Sequence, residues 1–414
     1  MSSSVQATTV GATTKQPRPP QRRMKNRREV IISTASTLFV ARGFSRVTMR
    51  DIAAEMGITD AALYRYFPNQ RAILTAVMDS SLEKFLEGLQ GIEPDTVLVD
   101  ALRRHVEAPA GTSSFALLWH RDSRRLDTIE RRRLAKKLAD VVESLAVIIR
   151  KYTDLPEEIV QSRAWWCISA SSSISYIRVH LDPDRLKSLL VSCLFVGVTS
   201  PMRKGAHSQA LPDRNPGWPA VEGNLLHGRA SRREAILDSA SVLFAARGYE
   251  KVSMEDLASS IGVSAATLYA DFRGKHEVLF ATFERGNTWL QLQLNSILRS
   301  TRDPRLALQR IITGHRQLVQ GRPEHWEIYF RELHLLPSDL DRVSRSRHQD
   351  YYEEWVRLLR LVRPEIDREA AFVLVQTVLI GLADLSRTPR IVADEQALFD
   401  LDQLSMCVLM TAGV

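Results

Sequence analysis

The sequence predicts an all-α protein made of two similar units fused in one chain. The first observation is an internal repeat: residues 28–74 and 233–279 align without a gap at an offset of 205, and 20 of the 47 aligned positions are identical. The second is that apolar residues recur at helical spacing along most of the chain. Because twice the offset, 410, nearly equals the length of 414 residues, we infer that a whole protein was duplicated and fused.

Each copy of the repeat predicts three short helices. In copy one, Gly43 ends the first helix, and Thr48 with Asp51 forms a T-x-x-D capping signature at the start of the second. Gly57 ends the second helix, and Thr59 caps a third that we expect to run through Phe67. Two short helices joined by a tight glycine-containing turn form a helix-turn-helix, whose second helix enters the major groove of DNA. Copy two repeats the signals at Gly248, Ser253, Asp256, Gly262 and Ser264.

These heads resemble the DNA-binding head of the TetR family of bacterial transcriptional regulators. The resemblance implies two fused units, each a three-helix head followed by a helical ligand-binding and dimerisation body, that form a pseudo-dimer within one chain. Two heads in one polypeptide resemble the tandem members of this family in actinobacteria. The matching residues of copy one are Leu38-Phe39, Gly43-Phe44, Val47-Thr48-Met49, Asp51-Ile52-Ala53, Gly57-Ile58-Thr59 and Leu63-Tyr64-x-Tyr66-Phe67, and copy two has counterparts from Leu243-Phe244 to Phe272.

The composition along the chain divides it into six segments. A basic arm rich in proline precedes the first head, and a linker rich in proline and glycine separates the two units. For the arm, two interpretations stay open: a segment that follows phosphates or enters the minor groove, or a solvated tail. The segments are the arm at 1–24, head one at 25–74, the first body at 75–200, the linker at 201–229, head two at 230–279 and the second body at 280–414.

In head one, the outward side of the third helix, the recognition helix, supplies the candidate DNA contacts. Arg65 is the best candidate for a base or phosphate contact, because a guanidinium can donate to both O6 and N7 of guanine. The family resemblance implies phosphate contacts for Tyr64 and Thr48, and a place at the DNA surface for Tyr66; ordinary packing is the alternative for both tyrosines. The family often has a lysine at the position of Gln70, for which Arg71 could substitute. The other candidates are Thr59, Asp60 and Ala62.

Head two departs from this pattern. It has Ala270-Asp271 where head one has Arg65-Tyr66, and the Asp271 carboxylate would repel phosphates. Its repeat carries five basic and seven acidic residues, against six and four in copy one. The sequence leaves three alternatives for this head: it binds a different half-site, it binds weakly, or it is purely structural. Its usable contacts are Ser253, Ser264, Thr267, Tyr269 and Lys275.

The bodies carry four apolar helices that, by resemblance, correspond to a four-helix dimer interface. They lie at 158–179 and 184–198 in the first body, and at 370–385 and about 395–410 in the second. Five serines between 169 and 175 would allow close helix packing, or some of them line a pocket. The aromatic residues of the bodies suit a core. As a hypothesis, a pocket for a small apolar ligand is lined by some of Trp119, His120, Trp326, Tyr329 and Tyr352.

Composition favours an anionic partner and opposes several other classes of protein. The net charge is +8 and the pI about 9.5. The three cysteines lack metal spacing, no apolar run is long enough to span a bilayer, and the N-terminus has no apolar signal core, so we expect a cytoplasmic protein without metal, cofactor or membrane. Ser175, His180 and Asp182 are close in sequence, but without a nucleophile elbow or phosphate loop we expect no enzyme.

We therefore expect a transcriptional repressor that binds double-stranded DNA and is released by a small, mostly apolar ligand. It would act as a monomeric pseudo-dimer or as a homodimer. A regulator with one working head, whose second half is a built-in dimerisation scaffold, is the alternative within the same class. An enzyme acting on a small molecule is the alternative from another class.

Overall fold

The computed structural model describes residues 27–90, 96–107, 115–177, 181–202 and 231–413. All regular secondary structure in these ranges is helical, which confirms the predicted all-α class. The basic arm at 1–24, nearly all of the linker at 201–229 and His180 lie outside the described residues.

The first half contributes nine α-helices to the described part of the chain. Three belong to head one and six to the first body, and the longest is a 25-residue helix in the body. They are α1 (Arg27–Arg42), α2 (Met49–Glu55), α3 (Asp60–Tyr64), α4 (Gln70–Leu89), α5 (Leu98–Glu107), α6 (Phe115–Asp122), α7 (Thr128–Tyr152), α8 (Glu157–Ser172) and α9 (Pro183–Thr199).

The second half repeats this order of helices and has one additional helix, of a single turn, before its last helix. Head two holds the first three helices, and the second body holds the rest. They are α10 (Arg232–Arg247), α11 (Met254–Ser260), α12 (Ala265–Asp271), α13 (Lys275–Ser300), α14 (Pro304–Gly321), α15 (Pro323–Glu332), α16 (Ser338–Val362), α17 (Arg368–Leu385), α18 (Pro389–Val392) and α19 (Glu395–Thr411).

Both heads start their second helix with the same hydrogen-bonded cap. In head one, Asp51 N donates to Thr48 Oγ1 at 3.2 Å, and Thr48 N donates to the Asp51 carboxylate at 2.7 Å. Ser253 and Asp256 form the same pair of bonds in head two, at 3.0 and 2.8 Å. These bonds satisfy backbone N–H groups that a helix start leaves without partners, so both predicted capping boxes are confirmed.

The two recognition helices differ in length. Helix α3 ends at Tyr64, before the expected end at Phe67, whereas α12 continues to Asp271. The residue after Phe67 is Pro68, and the ring of a proline disfavours helical backbone in the residue that precedes it. Copy two has Arg273 at the corresponding position and lacks this restriction.

The two halves are joined by a four-helix bundle of α8, α9, α17 and α19. Helix α17 is buried on nearly every side from Ala370 to Leu385, as its uniformly apolar sequence predicts. The fully buried indole of Trp166 lies between Gly197 of its own half and Gly381 of the other, and a Cβ placed on Gly381 would lie 2.2 Å from the ring. The predicted pseudo-dimer within one chain is therefore confirmed.

Polar contacts also cross this bundle. Arg163 on α8 and Asp400 on α19 form an ion pair at 2.8 Å, with side chains 1% and 2% exposed. Arg163 also donates to the carbonyl oxygens of Val198 and Ser200, so its guanidinium is fully engaged. From the serine run, Ser173 Oγ lies 3.1 Å from Thr377 Oγ1 of the other half, a contact that requires close helix packing.

Candidate nucleic-acid interface and an adjoining cavity

The recognition helices of both heads present a tyrosine to solvent at the same position. Tyr64 is 53% exposed and Tyr269 is 51% exposed, whereas an aromatic side chain that served the core would be buried. Tyr66 is 40% exposed. The core is instead filled by Leu63 and Phe67 in head one, as the helical spacing predicts. The solvent-facing tyrosines are therefore available to a partner.

Around Tyr64, head one places its other candidate residues on the same exposed side. Thr59 caps α3 by accepting a hydrogen bond from Ala62 N at 3.3 Å. Arg65 is exposed, and no acidic group of the described residues pairs with it. Asp60 pairs with Arg50 at 3.6 Å, which offsets its negative charge. Arg65 thus carries the one guanidinium of α3 and its C-cap, and Arg71 is exposed at the start of α4.

The hydroxyl of Thr48 already has partners inside the head. It donates to the Asp51 carboxylate at 2.7 Å while accepting from Asp51 N. These hydrogen bonds lower the pKa of Asp51, since they favour the charged carboxylate. The same holds for Ser253 and Asp256 in head two. A phosphate contact by either hydroxyl therefore competes with the capping box.

In head two, Asp271 is neutralised within the head. Its carboxylate pairs with Arg232 on α10, and this hydrogen bond lowers the pKa of Asp271. The carboxylate therefore repels phosphates less than the sequence suggests. Ser264 caps α12 and interacts with Thr267, whose Oγ1 lies 2.8 Å away, so both side chains serve the helix start.

Lys275 and Gln70 perform the same structural task in the two heads. Lys275 Nζ donates to the carbonyl oxygen of Tyr249 at 2.8 Å, and it lies 4.3 Å from the centre of the Tyr249 ring. Burial lowers the pKa of Lys275. Gln70 Nε2 donates at 2.6 Å to the carbonyl oxygen of Phe44, which occupies the corresponding turn. Each side chain ties the helix after the head to the turn before its second helix.

Arginines of the first body connect the two heads. Arg125 donates to Ser45 Oγ of head one at 2.8 Å and to the Glu250 carboxylate of head two. Ser45 and Glu250 stand at equivalent positions of the repeat, so the two turns face each other on either side of this guanidinium. Arg124 donates to the carbonyl oxygen of Ala245 in head two and to Glu332. Sequence reasoning did not single out these arginines.

A cavity of about 850 Å³ lies beside head one, within the size range of ligand sites. Residues of the second body form most of its wall, and the end of α1 with the following turn closes one side. Its lining residues are Val40, Ala41, Arg42, Gly43, Arg46, Leu117, Arg121, Tyr176, Tyr329, Phe330, Leu333, His334, Asp341, Arg345, His348, Gln349, Tyr352, Phe372, Gln376 and Ile380.

The structure brings only part of the hypothetical ligand pocket together. Tyr329 and Tyr352 line the cavity. His120 lies behind the wall, where its Nδ1 is 3.0 Å from the Tyr176 hydroxyl, and Trp326 packs against Tyr329. Trp119 stacks on Phe115 and does not line the cavity.

One histidine and two tyrosines that face the cavity from the second body are held neutral. His348 Nε2 lies 2.9 Å from the Tyr352 hydroxyl, and its Nδ1 lies 3.2 Å from Asn287 Oδ1. Burial lowers the pKa of His348 to about 3, so the ring is uncharged at neutral pH. Burial likewise raises the pKa of both Tyr329 and Tyr352, which keeps their hydroxyls protonated.

Other kinds of site find little support in the described ranges. There, no three histidine, cysteine, aspartate or glutamate side chains converge as metal ligands. No helix in those ranges is both long and apolar enough to cross a bilayer. The Ser175 hydroxyl is buried and has no hydrogen-bond partner among the described residues, and Asp182 caps α9 by accepting from Asp184 N and Arg185 N. Each therefore has a structural setting of its own.

Comparison with known proteins agrees with the geometry of the heads. The family described as "Bacterial regulatory proteins, tetR family" matches residues 31–77 and 236–282. The HTH-type transcriptional repressor KstR2 of Mycolicibacterium smegmatis is 25% identical over 155 residues, which cover 36% of this chain and 75% of the relative. The HTH-type transcriptional activator FasR of the same organism is 29% identical over 118 residues, 28% of this chain and 53% of the relative.

Solved structures of similar proteins cover between 36% and 45% of this chain. The structure of the ketosteroid transcriptional regulator KstR2 of Mycobacterium tuberculosis has a TM-score of 0.38 at 19% identity, covering 45% of this chain and 98% of that one. The sequence matches and the paired heads define the class of the protein as a DNA-binding helix-turn-helix regulator. Both heads, at residues 31–77 and 236–282, are similar to the DNA-binding head of the TetR family, and they stand in tandem in one chain.

Proposed function

We propose that the protein is a sequence-specific transcriptional repressor that binds double-stranded DNA with both heads. The observation that supports this most directly is the matching pair of solvent-facing tyrosines, Tyr64 and Tyr269, presented by two heads that one bundle holds together. Two heads joined in this way can occupy successive major grooves about 34–36 Å apart. The positive net charge favours such a partner, and nothing in the proposal requires catalysis.

Within this proposal the contacts divide into two groups. Tyr64, Tyr269 and Arg71 would bind phosphates and fix the position of the protein on the duplex, while Arg65 and Tyr66 face base edges and supply specificity. Thr48 and Ser253 have their hydroxyls in capping boxes, and Lys275 is engaged with the turn of head two. We therefore propose that the main role of these three residues is to support the structure of the interface, and that contact with DNA is secondary.

The proposal is tested by footprinting over the intergenic DNA beside the gene of this protein, at moderate salt. The expected result is a protected site that spans two adjacent major grooves on one face of the duplex. Absence of any protected site would contradict DNA binding as the function. Protection of one groove only would favour a single working head.

Arg65→Ala is expected to weaken binding to the specific site by about 1–3 kcal/mol, because a guanidinium–guanine contact contributes on that order. Binding to unrelated DNA should change much less. Titration of labelled DNA with protein measures both. Arg132→Ala on α7 is the matched control, since it removes the same charge from an exposed arginine outside the heads. An unchanged specific affinity for Arg65→Ala would remove this residue from the interface.

The second candidate function is a regulator in which only head one binds DNA. It is favoured by the acidic balance of the second repeat and by the engagement of Lys275 within head two. Against it, Asp271 is paired with Arg232, and Tyr269 is as exposed as Tyr64. These observations lead us to prefer two working heads.

Tyr64→Ala and Tyr269→Ala separate the two candidates. If both hydroxyls contact phosphates, each substitution should weaken binding by about 1.5–3 kcal/mol, the usual range for a hydrogen bond to a charged group. Because both side chains are exposed, neither change should alter the unfolding transition, which serves as the control. Binding that depends on Tyr64 but is indifferent to Tyr269 would support the one-headed candidate.

Release by a small ligand is the regulatory part of the proposal. The cavity beside head one supports it, because a ligand bound there can favour one position of the head over another. One relative, FasR, is described as an activator, so repression by this protein needs its own test, such as reporter expression with and without the protein.

We further propose that the chain acts in the cytoplasm and is similar to actinobacterial tandem regulators, such as that of the third mammalian-cell-entry operon of mycobacteria.

A further inference from the structure

The cavity is built by three units of the chain. Residues 40–43 and Arg46 come from head one, a smaller part comes from the first body, and the remainder comes from the second body. Among the described residues that line it, none belongs to head two. A molecule in the cavity would therefore contact head one and the second body together, so the half that controls head one is the opposite half of the chain.

The chemistry of the lining changes from one side to the other. Phe330, Phe372 and Ile380 supply apolar surface from the bodies, while Arg42 and Arg46 supply guanidinium groups from head one. Within the described ranges, the guanidinium groups of these two arginines form no ion pair and no hydrogen bond, although Arg46 N donates to the Gly43 carbonyl oxygen. Such a surface suits a molecule with an apolar body and an anionic end, because guanidinium groups bind carboxylate and phosphate oxygens with charge-assisted hydrogen bonds.

The other titratable groups of the lining do not cancel this positive charge. Arg345 donates to both carboxylate oxygens of Asp341, at 2.8 and 2.9 Å, so this pair is neutral as a unit. Arg121 is paired with Asp122 through a single contact, from Nε to one carboxylate oxygen at 2.8 Å. The two lining histidines, His334 and His348, are uncharged at neutral pH, because burial lowers the pKa of each to about 3. The excess charge is that of Arg42 and Arg46.

The contact that couples the cavity to head one is unusually close. Gly43 has φ of 84°, and a Cβ placed on it would lie 2.9 Å from Cδ2 of His334. His334 also lines the cavity, so a ligand that displaces its ring must move it against, or away from, the turn of head one. Head one is also held by Arg121, another lining residue, which donates to the carbonyl oxygens of Phe39 and Val40. Head two is held by residues that do not line the cavity, through Arg124 to the Ala245 carbonyl oxygen and through Tyr249 N to Glu332.

We propose that this cavity binds an amphipathic anion, one molecule for each chain, and that the bound anion repositions head one through His334 and Gly43 while head two stays clamped. This ligand class makes the proposed release by a small ligand more specific. It rests on the proposed function only for the effect of the ligand on DNA binding. Binding itself and the movement of head one can be measured without DNA, so the two proposals can fail separately.

The binding test uses the full chain and three probes with the same ten-carbon tail: decanoate, 1-decanol and decyltrimethylammonium. Calorimetry should give one decanoate site for each chain, with the alcohol at least about tenfold weaker and the cation weaker still. The double substitution Arg42→Gln with Arg46→Gln should abolish the preference for decanoate, whereas the exposed Arg132→Gln should leave it intact. Ile380→Trp, which fills the cavity, should weaken all binding.

The coupling test is hydrogen exchange on the same samples. Decanoate should change the exchange of amides in residues 43–47 and leave those in residues 248–252 unchanged. Equal affinity for the acid and the alcohol, indifference to the double arginine substitution, or equal responses of the two turns would each overturn the inference. Because Arg42 and Arg46 are exposed, their substitution tests the site even if Ile380→Trp fails to fold. Failure to bind DNA would remove the proposed function and leave these results standing.

Discussion

Asp400→Ala is expected to destabilise the protein by about 3–5 kcal/mol, the largest effect we predict for a single polar side chain. The substitution leaves the guanidinium of Arg163 buried without its carboxylate, in a site where the arginine is 1% exposed. The carbonyl oxygens of Val198 and Ser200 cannot neutralise that charge. Urea unfolding followed by circular dichroism at 222 nm measures the loss.

The control is Arg185→Ala, which removes another ion pair between the two halves. Arg185 and Asp367 are 49% and 42% exposed, and exposed pairs contribute only about 0–1 kcal/mol. The double substitution Arg163→Met with Asp400→Leu should cost less than Asp400→Ala alone, since it removes both charges together. A small effect of Asp400→Ala, similar to that of Arg185→Ala, would show that the buried pair is not essential to the bundle.

Trp166→Ala is expected to cost about 3–5 kcal/mol, because it removes a fully buried tryptophan from the centre of the bundle and leaves a cavity. Gly381→Ala should cost about 1–3 kcal/mol in the natural chain, where the new Cβ meets the indole at 2.2 Å. Unfolding by urea again gives both values.

Combining the two substitutions tests whether contact with the indole causes the destabilisation by Gly381→Ala. The three atoms nearest to the new methyl group all belong to the Trp166 ring, so removing the ring removes these contacts, and alanine favours a helix over glycine by about 1 kcal/mol. Gly381→Ala should therefore stabilise the Trp166→Ala variant while it destabilises the natural chain. Simple additivity of the two effects would contradict the packing described for this slot.

The local structure of the heads followed from the sequence because it depends on a few neighbouring residues. The capping boxes of Thr48 and Ser253 and the positive φ of Gly43 and Gly248 each have such a local signature. Helix α17 was predictable for a similar reason, since an apolar residue at nearly every position leaves no side for water. The early end of α3 also had a local cause in Pro68, although the helix was expected to continue.

Contacts between distant residues could not be predicted in this way. Arg163 and Asp400 are 237 positions apart, and nothing near either residue indicates its partner. Lys275 was expected to contact phosphate because the family often has a lysine at this position, and nothing near it in sequence indicates that its ammonium group donates to the turn of its own head. The contact between His334 and Gly43 depends on how the second body packs on head one, which periodicity within one helix does not encode.

The same limit applies to the candidate sites. The exposed side of each recognition helix follows from helical spacing, and Tyr64, Arg65 and Tyr269 do face solvent. The cavity joins residues 40–43 and Arg46 to residues of four later α-helices, so no aromatic cluster in the sequence outlines it. Arg42 and Arg46 belong to a segment for which the sequence predicted only the end of a helix.

The origin of all four bundle helices in one polypeptide has a consequence for behaviour in dilute solution. Two separate subunits must meet before they can present paired heads, and their assembly falls off with the square of concentration. In this chain the two interface surfaces are covalently linked, and Arg163 of the first half pairs with Asp400 of the second half. The paired state should thus persist at a few copies per cell, and occupancy of a target should rise in simple proportion to the amount of protein.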